Sequence, residues 1–298
     1  MSISKWIKSN TTSLENKTVV ITGTTNGLGH EALKILAQLK ATIIVGVRNT
    51  SRAEEQKKQI IEKHPDASIT IFKLDLSDTS SIKNFSNKVA FLCQAGIDVL
   101  INNAGVFSNI EVLANGYEKH FFTNCIAPIM LTKNLLPILK TNENSKVVFL
   151  GSLSCNFSKV DFDDIDFKNA KKNILAYANS KRWLTFAALK LKKELENTNV
   201  CINIVHPGIS ATALFKSWTL KIFNPLMKII FPRANKACRC EIAGAFLNTK
   251  QNEWIGPTIF GVWGKPKSNK LKIKHRNDDE ISKCYQTVNQ IINETAKM

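Results

Sequence analysis

This chain predicts an α/β fold, a doubly wound parallel sheet with helices on both faces. Two observations lead there. Short β-branched apolar runs alternate with longer amphipathic stretches for more than two hundred residues, the pattern of repeated strand–helix units. Each run also leads toward a helical segment.

TVVIT (18–22) is a buried-strand run, then come Gly-rich residues and HEALKILAQLK, with apolar residues at helical spacing. TIIVGV (42–47) is the second strand and the charged 51–63 segment a helix. SITIFKLDL (68–76) is the third strand, again leading into a helix. DVLINNAG (98–105), KVVFLGS (146–152) and VCINIVHPG (200–208) repeat the theme. In such a sheet, ligands bind in the crevice beyond the carboxyl ends of the strands.

The chain has 298 residues, enough to bury a full core. No Pro/Gly/Ser-rich linker, repeat or low-complexity tract divides it, so one domain spanning 1–298 is expected. The seven cysteines are scattered, mostly inside apolar runs, and show no zinc spacing. They suggest a reducing, cytoplasmic setting and no bound metal. The N-terminus lacks the apolar segment of a signal peptide, and no apolar run reaches membrane-spanning length. The net charge is +17. An anionic partner and a Lys-rich bias spread over solvated faces both account for it. No basic stripe with interleaved aromatics points to nucleic acid.

The residues just past each strand carry the most information. TGTTNGLG (22–29) carries Gly23, Gly27 and Gly29, which let the backbone turn tightly and approach a pyrophosphate at a helix N-terminus. After strand 2 comes Arg48, where an acidic residue would select a ribose 2′-hydroxyl; a guanidinium suits a 2′-phosphate, and an exposed strand cap is the alternative. Asp75 after strand 3 could accept from an adenine amino group. NNAG (102–105) after strand 4 is a turn of small residues. Finally, Tyr177 and Lys181 in AYANSK stand at i and i+4, on one helix face.

Taken together, TGTTNGLG, NNAG, Ser152, Tyr177-x-x-x-Lys181 and HPG (206–208) resemble the short-chain dehydrogenase/reductase superfamily over roughly residues 15–265. GVRN (46–49) and the long stretch between Ser152 and Tyr177 look most like its retinol dehydrogenase-like and WW-domain oxidoreductase-like branch, although no WW domain is present. The resemblance implies a Rossmann-like sheet and NADP(H), with NAD the weaker expectation. It implies cofactor contacts at Gly23, Thr25, Asn26, Gly27, Leu28, Gly29, Arg48, Asp75 and Leu76. Asn103, Ala104, Gly105, Tyr177, Lys181, Pro207, Gly208 and Thr212 complete that set. It also implies Tyr177 as general acid or base, and Ser152 as partner of the substrate oxygen, with Ser154 a near neighbour. Lys181 would hold the nicotinamide ribose and, with the oxidised cofactor, favour the Tyr177 phenolate. Asn124 would position a water in a proton relay, or serve instead as a capping or core amide. Ala127 stands where the family has glycine. His206 is expected to pack structurally.

The segment 212–245 matches the family's variable lid. Phe215, Trp218, Phe223 and Phe231 with six basic residues over 214–240 imply a lipophilic substrate such as a retinoid, steroid or fatty aldehyde. Lysines facing solvent, or adsorption to an anionic membrane or lipid-droplet surface, both suit those basic residues. Residues 265–298 read as a basic C-terminal extension. Family members often form dimers or tetramers, which leaves a homo-oligomer an open expectation. The rival readings are an NAD-dependent dehydrogenase of the same family and a non-catalytic cofactor-binding regulator.

Overall fold

The computed structural model describes residues 3–208, 234–259 and 261–297. Among them an eight-stranded sheet runs in the order β3-β2-β1-β4-β5-β6-β7-β8. The strands are β1 (Thr18–Thr22), β2 (Thr42–Val47), β3 (Ser68–Lys73), β4 (Val99–Asn102), β5 (Ser145–Leu150), β6 (Val200–Val205), β7 (Glu253–Ile259) and β8 (Trp263–Lys270). The first seven pair in parallel and β8 returns antiparallel along β7. The order reverses between β1 and β4, so the chain leaves a crevice at that switch point.

Helices cover both faces. On one side lie α1 (Ile3–Asn10), α2 (Gly27–Gln38), α3 (Thr50–Ile61) and α7 (Arg239–Phe246); on the other lie α4 (Thr79–Leu92), α5 (Lys119–Leu139), α6 (Asn173–Glu194) and α8 (Asp278–Thr295). The strands are apolar on both sides, as a covered parallel sheet requires. Along β1, Val19 and Ile21 join the core under α2, while Val20 joins the core with Phe85, Phe121 and Trp183. The helix α5 is long and apolar enough to cross a membrane, but 72% of its most apolar window is buried inside the protein. It is a core helix here.

Several helices start on sequence-encoded caps: Asn49 accepts from the Arg52 N–H, Asp78 from Ser80 and Asn277 from Glu280. Asp278, Asp279 and Glu280 then fill the first turn of α8, where the helix dipole favours negative charge.

Three regions differ from expectation. The expected lid over 212–245 lies mostly outside the described residues, and its last part is no lid. Arg239–Phe246 packs flat on the sheet, because a Cβ at Gly244 would sit 2.9 Å from both Val148 and Val205. The strands β7 and β8 were not expected either, since each carries a proline at paired positions (Pro257 and Pro266) and β8 is polar. As an edge strand, β8 tolerates proline and lysine. Finally, the C-terminal extension is integral to the core: Tyr285 and Val288 of α8 are buried against α5 and α6. The Tyr285 hydroxyl donates to Glu194 at 2.7 Å.

One buried cation joins this extension to the crevice. Arg182 on α6 is 1% exposed and donates to the carbonyls of Cys155 and Ser158, in the segment after Ser152, and of Lys274 and His275, before α8. Glu280 lies 3.5 Å from its guanidinium. Removing a buried charge that satisfies several carbonyls leaves them unpaired. Arg182→Met should therefore lower the unfolding free energy by about 3 kcal/mol, read by chemical denaturation; an unchanged midpoint would show that the clamp contributes nothing.

Candidate active site

The residues just beyond β1, β2, β3, β4, β5 and β6 line a single cavity of about 720 Å³. Its first wall is the turn after β1. Gly23 has φ +73°, and a Cβ there would lie 2.7 Å from the Ala104 Cα, so only glycine fits. At Gly29 a Cβ would run into the Asn103 side chain and the Gly23 carbonyl. The turn after β4 is cross-bonded to this one. The Asn103 amide donates to the carbonyls of Thr22 and Gly23 at 2.7 and 2.8 Å, and the Ala104 N–H donates to the Thr22 hydroxyl at 3.0 Å. The side chain of Asn103 thus holds the cradle together, and the open part of the turn is Ala104 and Gly105.

Arg48 is exposed and lines the same cavity at the end of β2. A second cation reaches this wall: Arg52, one turn into α3, donates to Asn26 at 2.7 Å. The Asp75 Oδ1 accepts from the N–H and hydroxyl of Ser77 at 2.9 and 2.6 Å, which fixes the carboxylate at the cavity edge beside Leu76.

The opposite wall comes from β5 and α6. Lys181 is 5% exposed; its Nζ donates to the Leu150 carbonyl at 2.8 Å and lies 5.9 Å from the centre of the Tyr177 ring. Burial pushes Lys181 down to about 8. The expected depression of Tyr177 draws on the oxidised cofactor as well as on Lys181, and burial acts the other way. Burial pushes the phenol up to about 12, with the hydrogen bond to Ser152 acting in the opposite direction. Desolvation of a phenolate outweighs the hydrogen bond with Ser152. Ser152 is the serine bonded to Tyr177, and Ser154 stands behind it, donating to the Ser152 Oγ at 2.9 Å.

Asn124 does not line the cavity. It sits on a π-helical turn, Phe122–Ile126, inside α5, the kind of bulge that re-aims a helix at functional sites. Its Oδ1 accepts from the Val106 N–H at 2.8 Å, and its amide donates to the Val106 carbonyl and to the Ser180 hydroxyl. Ser180 in turn donates to the Tyr177 carbonyl at 2.7 Å. The Asn124 side chain is therefore committed to the protein and is linked to Tyr177 through Ser180.

Pro207 and Gly208 close the cavity after β6. His206 beside them is 2% exposed, stacks on Trp254 and meets the Gly261 carbonyl at 3.0 Å, and burial pushes it down to about 4. It is a neutral packing residue, as expected. Thr212 lies outside the described residues.

The sequence reading missed the apolar half of the cavity. Val106, Phe107, Leu153, Phe157 and Ile174 line it beyond Tyr177, and Phe157 is 67% exposed at the rim. Val106 and Phe107 sit in an irregular segment, Leu153 and Phe157 in a single short turn, and Ile174 at the very start of α6, so no periodicity marks a face. An exposed Phe flanked by polar residues, as in CNFSK, was the one available signal.

Comparison with known proteins agrees with this geometry. The model of the short chain dehydrogenase family matches residues 17–222. Retinol dehydrogenase 12 from Homo sapiens is 30% identical over 258 residues, covering 82% of this chain and 81% of that protein. The crystal structure of an uncharacterized protein from Mycobacterium Paratuberculosis superposes with a TM-score of 0.76 at 25% identity, covering 95% of both chains. A metagenomic short-chain oxidoreductase solved in complex with NADP gives 0.60 at 20% identity, covering 79% of this chain and 93% of that one. Sequence over most of the chain and fold over nearly all of it lead to one conclusion: this chain belongs to the short-chain dehydrogenase/reductase family of oxidoreductases, in its retinol dehydrogenase-like branch.

Proposed function

We propose that the protein is an NADP(H)-dependent oxidoreductase that interconverts a lipophilic carbonyl and its alcohol, with Tyr177 moving the proton. The observation that carries this reading is the meeting of the Tyr177 hydroxyl with Ser152 beside the buried ammonium of Lys181. They stand where a glycine cradle and an apolar pocket share one cavity.

The residues fit a dinucleotide. The turn at Gly23 and Gly29 is pressed against the Asn103–Ala104 turn so closely that a Cβ at either glycine would fill the approach. The N-terminus of α2 faces it, with Asn26 as cap. Arg48 at the end of β2 would meet the 2′-phosphate. Once bound, the nicotinamide cofactor supplies or accepts the hydride. The protein manages the proton. Ser152 orients the substrate oxygen toward Tyr177, and the phenol at its raised value is an ample proton store for reduction at neutral pH. Lys181 holds the ribose hydroxyls and contributes the positive charge that stabilises the phenolate left behind. Phe107, Leu153, Phe157 and Ile174 offer an apolar surface that suits a retinoid, steroid or fatty aldehyde.

Three measurements test the reading. Tyr177→Phe should lose about 100-fold or more in turnover of a retinal, decanal and ketosteroid panel, while NADPH affinity stays within about twofold; retained turnover would remove Tyr177 from the mechanism. Arg48→Asp should weaken NADPH relative to NADH by about tenfold or more in kcat/KM and in Kd; an unchanged ratio would restore the NAD reading.

The third concerns Lys181, whose folded value of about 8 lies below the ordinary 10.5. Between those values the unfolded chain binds a proton that the folded chain lacks, so this lysine makes stability rise with pH there. Below pH 8 the buried ammonium costs roughly 3 kcal/mol. Lys181→Met should therefore melt at higher temperature than the parent at pH 7, by an advantage that fades toward pH 10, and lose turnover about 100-fold. A destabilised, fully active variant would contradict both halves.

A further inference from the structure

A buried histidine that the mechanism does not use lies directly behind Tyr177. His120 and Glu118, at the start of α5, are both fully buried, and the His120 Nδ1 lies 2.6 Å from the Glu118 Oε1. The other ring nitrogen, Nε2, accepts from the Ser108 N–H at 3.0 Å. A backbone N–H can only donate, so Nε2 carries the lone pair and the proton sits on Nδ1, pointing at Glu118. The second carboxylate oxygen caps α5 by accepting from the Phe121 N–H at 3.0 Å, and the Glu118 N–H donates to Asp166 in the stretch between Ser152 and Tyr177.

The pair does more than fill the core. Ser108 is held by His120, and Val106 is held on both its N–H and its carbonyl by Asn124, one turn further along the same helix. The residue between them, Phe107, is thereby fixed. Its ring meets Tyr177 edge-on at 5.3 Å and 84°, and the His120 ring meets Tyr177 at 6.3 Å and 81°. Edge-to-face contacts of this kind are favoured by the ring quadrupoles and hold the rings at that angle.

We propose that His120, as the neutral Nδ1–H tautomer held by Glu118, is a positioning residue for Tyr177 that pins the Val106–Ser108 loop and Phe107 against the phenol ring. The inference rests on the reading of Tyr177 as the proton donor. Proton transfer tolerates little misplacement, and about 1 Å can cost roughly 100-fold. Loss of the pair therefore acts on turnover, whereas the glycine cradle that would hold the cofactor is bonded independently through Asn103.

The test compares parent, His120→Leu, His120→Gln and Tyr177→Phe on the most active carbonyl of the panel. His120→Leu should lower kcat by about 30-fold while the Kd for NADPH, read by fluorescence, stays within about twofold. The side chain of Gln can both accept and donate, so His120→Gln should recover most of the loss. A folded His120→Leu with parental kcat, beside an inactive Tyr177→Phe, overturns this inference alone. An active Tyr177→Phe overturns the proton-donor reading and this inference with it. Nitrogen-15 NMR of the parent needs no variant: Nδ1 protonated and Nε2 bare at pH 7 is expected, and the reverse tautomer or an imidazolium overturns the proposal.

Discussion

A buried ammonium with a single backbone acceptor stands at the centre of the crevice, and the site is organised around it. Lys181 donates to the Leu150 carbonyl at the end of β5 and stands beside Tyr177. No carboxylate among the described residues compensates it, which is why burial draws it down to about 8. The sheet makes that position tenable. Parallel pairing of β4, β5 and β6 brings Leu150, the NNAG turn and the HPG turn to one end, and α6 lowers Lys181 into the gap. A protein selected for stability alone would place an apolar side chain there.

Rigidity around the ammonium comes from bonds between loops. Asn103 and Ala104 lace the β4 turn to the β1 turn, Asn124 ties Val106 to Ser180, and Arg182 ties the segment after Ser152 to the chain leading into α8. Each staple is a side chain that satisfies backbone polar groups with nowhere else to go in a dry interior. The π-helical turn at Phe122–Ile126 places Asn124 at the loop. The apolar rim formed by Phe107, Leu153 and Phe157 is built on those same stapled segments.

Much of this was legible in the residues. Six of the seven parallel strands announce themselves as β-branched runs, and Gly23, Gly29, Ser152, Tyr177 and Lys181 stand close to strand ends or at helical spacing, where chemistry leaves a local mark. Other parts left none. β7 and β8 carry prolines and lysines that contradict strand propensity, and only pairing with each other and with β6 makes them strands. Arg182, one residue past Lys181, reads as an ordinary helix cation, because the carbonyls it satisfies are distant in sequence. The direction of the Tyr177 shift is hidden for a related reason: lysine at i+4 is visible in sequence, while the desolvation that raises the phenol depends on the whole fold. His120 escaped because a histidine gains meaning only from the Ser108 and Glu118 atoms around it.

The central claim of the proposed mechanism is that Tyr177 would act as a proton store whose phenolate becomes accessible only when positive charge enters the cavity. Ultraviolet difference titration of the parent against Tyr177→Phe, with and without NADP+, tests it most directly. The account predicts no Tyr177 phenolate below pH 10 in the free protein, given a phenol pushed up to about 12, and a phenolate appearing at lower pH once NADP+ is bound. A phenolate near neutral pH in the free protein, or a titration that NADP+ leaves unmoved, would contradict it.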